Sequence, residues 1–387
     1  MVSARAGRWL RRVLAGGLVL VVLLAAGATW AYSGQIGGLM LKAEHGLPSY
    51  DVEVLAVGGW EVTLPAGAGE PLGTWGLEWE TGYARVGPVA AVGEDGVVRP
   101  VLEAAGDLRA GLLVALDPYA FEADPASLGL AFDNVIVEGP LGNYPAWHTP
   151  GTDDTWVILV HDRDSYRREA LRVLRTLATA GFHTLTITYR NDPGAPDGGG
   201  RYGLGDPEWE DVEAAVRYAA DEGAGDVVLY GWGMGGAAAA MFLHESSEAR
   251  LVAGLVLDAP LLDPAAVVDR DAAGHNIPGF LAGWAKGLAT LRWGTEWGRL
   301  NQVARADDFE VPILLFHGDA DAEIPVASSD AFAAALPELV RYERFAGAGH
   351  GACWNADPAR YEAALAAFMD EVAAGPAEPR LPASTGG

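Results

Sequence analysis

The longest uninterrupted apolar run lies near the start of the chain. From Val13 to Trp30 no residue is charged, and the next charged side chain is Lys42. About 20 apolar residues in a helix cross the hydrocarbon of a bilayer, so the pattern predicts a membrane-spanning helix within residues 1–42. Arg5, Arg8, Arg11 and Arg12 precede the run, which predicts a cytoplasmic N-terminus and a single-pass protein with its main part outside. A cleaved signal peptide is the alternative, with residues 13–24 as its apolar region and Ala26-Gly27-Ala28 as a small-residue cleavage site. The uncharged stretch continues past that site, which favours the retained anchor. Either way the bulk of the chain is exported.

Over residues 43–130 the pattern changes to short β-like runs at 51–57, 60–64, 72–80 and 97–103, separated by glycine-rich turns. A small β-rich accessory segment is expected, with Trp60, Trp75 and Trp79 in its own hydrophobic cluster. From Ala131 onward, apolar strands alternate with helical patterns, which predicts a mostly parallel sheet with helices on both faces. Near-continuous apolar runs at 156–160, 184–189, 227–231, 252–257 and 312–316 suit buried parallel strands, and 339–345 alternates more.

Asp206-Pro207 and Asp357-Pro358 each read as a capping carboxylate followed by proline at the first helical position. Residues 262–309 lack strand signals, and Phe280, Leu281, Trp284 and Leu288 recur at helical spacing, so a helical cap over the sheet's carboxyl edge is expected. The α/β domain is thus read as 131–374, with a disordered tail at 375–387.

Composition narrows the partners. The net charge of −26 excludes nucleic acid as a natural ligand, because phosphate backbones call for clustered basic residues. The single cysteine, Cys353, rules out an intramolecular disulfide and reads as a small buried thiol.

The chemistry concentrates at Asp226-Val-Val-Leu-Tyr-Gly-Trp-Gly-Met-Gly-Gly236: an apolar strand, a tight turn and an Ala-rich helix. This is the layout of a nucleophile elbow, Gly-x-Ser-x-Gly. Gly231 and Gly235 are in place, but the nucleophile position is Gly233, which has nothing to attack with. Downstream follow His317-Gly-Asp-Ala-Asp-Ala-Glu-Ile-Pro325 and Gly347-Ala-Gly-His-Gly351.

Elbow, acid motif and histidine motif in that order resemble the α/β-hydrolase superfamily over about 131–372, closest in texture to membrane-anchored bacterial serine esterases and peptidases. The resemblance implies that Asp321 is the acid, with Asp319 as alternative, and that His350 is the base. It implies that the Met234 backbone N–H is one oxyanion donor and that a loop after the first core strand supplies another. That loop reads Val160-His161-Asp162-Arg163-Asp164-Ser165, with aspartate where glycine is expected. An Asp162 carboxylate facing the site would oppose an oxyanion by roughly 4 kcal/mol at ~4 Å and an effective dielectric near 20, unless Arg163 or Arg167 neutralises it. Facing water is the other possibility for Asp162 and Asp164, as residues that tolerate a left-handed turn.

His161, Asp162 and Asp164 lack a second ligand cluster at metal spacing, so no metal is expected, and no motif calls for a cofactor. Cys353 and the serines lack an elbow context, and Asp162 as a nucleophile is out of place because that role belongs to the elbow. Acyl-serine chemistry is therefore excluded for this sequence. The expected function is a degenerate hydrolase at the cell envelope, binding a small ester- or peptide-like ligand or a partner. The alternative is an ester or peptide hydrolase, either using water activated by His350 and Asp321 or as a parent enzyme with serine at position 233.

Overall fold

The computed structural model describes residues 2–375 except 47, 68–70 and 95, so the expected tail lies outside the described residues apart from Gly375. The apolar run forms α1 (Val2–Ile36), which continues into a π-turn at Gly37–Leu41. Arg11–Ile36 is long and apolar enough to cross a membrane.

The accessory segment is a β-sheet of β1 (Val52–Glu53), β2 (Ala56–Gly58), β3 (Glu61–Leu64), β4 (Trp75–Trp79), β5 (Gly82–Val86), β6 (Ala91–Gly93), β7 (Gly96–Ala105) and β8 (Leu113–Asp117). The strands run in the order β1-β8-β4-β5-β7-β3-β2, with β6 against β7. Inward residues such as Val62, Leu64, Leu77, Val86 and Val114 form its core. Trp79 belongs to that core and Trp75 packs against it. Trp60 departs from expectation: it is exposed, because it sits in the tight turn joining β2 and β3, where its side chain has no facing strand.

The second sheet comprises β9 (Asp133–Gly139), β10 (Gly142–Thr149), β11 (Thr155–Val160), β12 (His183–Ile187), β13 (Asp226–Trp232), β14 (Val252–Asp258), β15 (Ile313–Gly318) and β16 (Val340–Phe345). The strands stand in the order β16-β15-β14-β13-β11-β12-β10-β9. Pairings from β12 through β16 are parallel, while β9 and β10 form an antiparallel hairpin on the edge.

Both sheet faces are covered, as the apolar strands require. Alternation along each strand assigns the faces: Ile158, Leu229, Leu255 and Ile313 go to one core, and Val157, Val228, Val256 and Leu314 to the other. The first lies under α3 (Trp209–Asp221), α4 (Gly233–Glu245) and α7 (Val326–Ala335). The second lies under α2 (Leu171–Thr179) and α9 (Pro358–Ala373). The cap is helical as expected, with α5 (Pro264–Gly274) and α6 (Gly279–Trp293) between β14 and β15.

One expected cap forms and the other does not. The Asp357 side chain accepts the Arg360 N–H (3.1 Å) with Pro358 at the first position of α9. The 206–207 pair instead precedes the helix: α3 begins at Trp209, and the Asp206 carboxylate accepts from the Trp209 indole (3.1 Å). The turn there is organised by buried Glu208, which accepts from the N–H groups of Gly203 (2.7 Å) and Gly205 (3.0 Å).

The accessory sheet is tied to the α/β domain close to the histidine loop. Asn355, in the short helix α8 (Cys353–Ala356), donates to the Thr74 and Pro118 carbonyls (both 2.7 Å). Arg168 bridges to Glu78 (2.9 Å) and Asp117 (2.8 Å).

Candidate functional site

Four loops at the carboxyl ends of parallel strands converge: the turn after β11, the β13–α4 elbow and the loops after β15 and β16. At the elbow Gly233 has φ +46°, the left-handed conformation of a sharp strand-to-helix turn. The flanking glycines are dictated by close approach. A Cβ on Gly235 would lie 2.2 Å from the Val160 carbonyl oxygen, and one on Gly231 would lie 2.4 Å from the Gly236 nitrogen.

The position above Gly233 is filled by a side chain from another loop. A Cβ placed on Gly233 would lie 2.1 Å from both Cγ and Oδ1 of Asp162. Asp162 Oδ1 accepts from the backbone N–H of Met234 (2.6 Å), the expected oxyanion donor, and from the N–H of Arg163 (2.7 Å). Its Oδ2 accepts from His350 Nε2 (2.8 Å). Of the two orientations open to Asp162, the one facing the site is found. Its neighbour Asp164 takes the expected left-handed conformation (φ +55°) but does not simply face water: partly buried, it accepts from the Glu44 N–H (2.7 Å) and the Tyr202 hydroxyl (3.2 Å).

The Asp162 backbone is pinned at both ends, which fixes where its carboxylate points. Its N–H donates to Glu169 (2.8 Å), and its carbonyl accepts from His161 Nδ1 (2.7 Å) and the Tyr189 hydroxyl (2.9 Å). His161 Nε2 donates to buried Asp192 (2.8 Å). Glu169 pairs with buried Arg172 (3.0 Å), and Arg172 donates in turn to the Gly351 carbonyl (2.6 Å). The chain Asp162–Glu169–Arg172–Gly351 therefore connects the β11 loop to the histidine loop. Glu169 and Arg172 belong to no motif in the sequence, and no local signal marks them as a buried pair.

His350 Nδ1 donates to Asp321 Oδ2 (2.8 Å). Asp321 Oδ1 accepts from the N–H groups of Glu323 (2.7 Å) and Ile324 (2.8 Å), and His317 Nε2 lies 3.1 Å from its Oδ2. Asp319, the alternative acid, faces elsewhere and accepts from the Gly347 N–H (2.6 Å). His317, which opens the acid motif, is a site residue that the sequence reading does not single out.

With a carboxylate on each ring nitrogen, both nitrogens of His350 carry protons. Burial alone would lower its pKa, but hydrogen bonds and charge from Asp162 and Asp321 outweigh it and hold the pKa well above the usual histidine value. Burial would likewise raise Asp162, yet His350, the Met234 N–H and Arg163 keep it below the ordinary carboxylate value. Asp321 is held low in the same way by His317, His350 and the Ile324 N–H, against burial. The ensemble is an anion–cation–anion triad, and its central imidazolium has no lone pair to act as a base.

Arg163 stands close enough to lower the Asp162 pKa, while Arg167 stacks its guanidinium over Trp147 (4.4 Å). Cys353 is fully buried, and burial, followed by Asp258, pushes its thiol well up. Among the described residues no group of three or more His, Cys, Asp or Glu is arranged to hold a metal ion. A cavity of about 210 Å³ adjoins the loops of Asp162 and Asp321, bounded by Arg163, Glu323, Val267 and Arg270 and on its far wall by Tyr32 and Ile36 of α1.

A comparison with curated protein sequences finds no match. Residues 53–117 match a domain of unknown function (DUF8805), which coincides with the accessory sheet. The esterase Pf2001 of Pyrococcus furiosus is similar in fold in two crystal forms, P212121 and P21, with TM-scores of 0.52 and 0.51. Each is 19% identical and covers 65% of this chain, and the match takes in 95% and 96% of the esterase. These likenesses support the α/β-hydrolase fold, with an accessory sheet and an apolar helix added in front. Residues 173–375, just over half of the chain, match the prolyl oligopeptidase family, and this α/β-hydrolase protein belongs to that family.

Proposed function

We propose that this protein is a non-catalytic hydrolase relative, held at the cell envelope by α1, with its main domain on the extracytoplasmic side. It uses the cleft beside the former active site to bind a small ester- or peptide-like ligand or a partner. The observation that carries this reading is the Asp162 carboxylate, hydrogen-bonded to the Met234 N–H and to His350 and seated where a serine side chain on residue 233 would project. One side chain thus takes the nucleophile's space, the oxyanion's donor and the base's free nitrogen. Serine removal by itself typically lowers catalysis about a millionfold, and a fixed negative charge in the oxyanion position opposes what activity remains.

A second reading is favoured by the intact His350–Asp321 hydrogen bond (2.8 Å). If the Asp162 contact opens when a substrate enters, His350 is freed to activate water and hydrolyse a reactive ester directly. Hydrolysis of p-nitrophenyl acetate and butyrate by the full chain and by His350→Ala separates the two. The first reading expects equal background rates from both proteins. Turnover that disappears in His350→Ala would establish the second.

A further inference from the structure

Helix α6 is built with its hydrophobicity reversed. At 100° per residue, Phe280, Trp284, Gly287 and Leu291 line one narrow stripe, and Ala282, Ala285 and Ala289 line the opposite one. A helix on a water-soluble domain buries its large apolar residues. Here the alanines are fully buried, while Phe280 and Trp284 are each 57% exposed and Leu291 is 84% exposed. Small residues turned toward neighbouring helices, with large apolar ones turned outward, is the arrangement of a helix packed within a bilayer.

The neighbour of α6 is the apolar N-terminal helix. The two pack together, and the buried alanines share a cluster with Tyr32 and Ile36 of α1. At the lower end of the contact Arg292 donates to Ser33 Oγ (2.6 Å) and lies over the Trp30 ring (4.5 Å), a cationic and aromatic pairing suited to a headgroup boundary. The length of α1 sets the depth. A span of about 20 residues is needed to cross the hydrocarbon, and counted from Val13 it ends near Tyr32. Thr29, Tyr32, Ser33 and Ile36 are already buried against the rest of the protein. A bilayer around α1 therefore reaches the level at which α6 packs.

We propose that the outward stripe of α6 is a lipid-binding surface, seated in the acyl-chain and headgroup boundary of the leaflet from which α1 emerges. The contact is apolar and independent of lipid charge: Lys286 is paired with Asp269 (2.7 Å), Arg292 faces α1, and the chain as a whole is strongly acidic. The proposal rests on α1 being a retained anchor. It fixes the cap, and the cavity bounded by α1 and α5, against the membrane surface.

The test uses the full chain in phosphatidylcholine vesicles, with one new cysteine carrying a polarity-sensitive fluorophore. Buried Cys353 is left in place and checked to be unlabelled. Labels go at Trp284→Cys and Leu291→Cys, with Leu20→Cys on α1 as membrane reference and Asp107→Cys on the accessory segment as aqueous reference. Phe280→Cys is the reserve should Trp284→Cys disturb folding. Lipids carrying a nitroxide near the headgroup are expected to quench positions 284 and 291 well above 107, with blue shifts between those of 107 and 20 and no change when anionic lipid is added. Labels at 284 and 291 that behave like 107 while 20 is blue-shifted would overturn the lipid-facing stripe. A label at 20 without a blue shift would overturn the anchor and the proposal together.

Discussion

Asp162 and Gly233 are mutually exclusive with a side chain between them: a Cβ on Gly233 would sit 2.1 Å from the Asp162 carboxyl carbon. Glycine at 233 and the inward carboxylate of Asp162 are therefore one structural feature seen from two loops. The carboxylate occupies volume that only glycine at 233 leaves open, and it accepts from the Met234 N–H and from His350. A glycine at the elbow with nothing above it would leave the Met234 N–H and His350 in need of new partners.

His350 is expected to remain protonated at neutral pH. Its pKa is raised above the ordinary histidine value, so its pairing contributes stability that is complete below about pH 6.5 and is lost as pH rises through the raised value. Asp162 and Asp321 are lowered, so their contribution is present above about pH 4 and is lost as pH falls through their depressed values. Histidine NMR should show the His350 ring, assigned by the resonance lost in His350→Ala, protonated at about pH 7.5 and neutral at that pH in Asp162→Asn. A neutral His350 ring in the unsubstituted protein would contradict the triad described here.

Glu169→Ala should be severely destabilising, although the residue lies outside the Asp162–His350–Asp321 triad. It would leave the Arg172 guanidinium buried without its carboxylate and the Asp162 N–H without an acceptor. Breaking a buried pair from one side costs about 3–5 kcal/mol, to be read from urea unfolding in detergent. A loss below about 1 kcal/mol, the range of exposed pairs, would show that the Glu169–Arg172 link does not hold the loop.

Cys353 should resist thiol reagents in the folded protein. It is fully buried with its pKa pushed up, and the thiolate is the reactive form. Labelling with a disulfide reagent at pH 8 is expected to follow the global unfolding rate. Fast stoichiometric reaction would place the thiol at the surface.

Much of this architecture is legible in the sequence because single strands and turns announce themselves. Trp156 to Val160 is apolar throughout and can only be a buried strand, and Gly231, Gly233 and Gly235 mark an elbow whether or not a nucleophile is present. The β9–β10 hairpin is less legible, since its outward positions, such as Ile136, are exposed on the sheet's edge and carry no buried-strand pattern. Asp162 shows the limit of local reading. As a nucleophile it is out of place because that role belongs to the elbow, and no local pattern reveals that its carboxylate spans the gap to Met234 and His350. That contact arises from convergence of three loops, under the control of Glu169, His161 and Tyr189. The exposed Trp60 and the relocated start of α3 have the same origin: a partner supplied, or withheld, by tertiary structure.

The most direct measurement is p-nitrophenyl butyrate hydrolysis by the full chain carrying Gly233→Ser, Asp162→Gly, and both together. Serine alone must force the Asp162 carboxylate aside and still faces an occupied oxyanion donor, so it is expected to be inactive and less stable. The double variant frees the donor and His350, and should exceed either single variant by at least about a hundredfold, the worth of one oxyanion donor. If Gly233→Ser alone matches the double variant, Asp162 does not block the site and the account is contradicted.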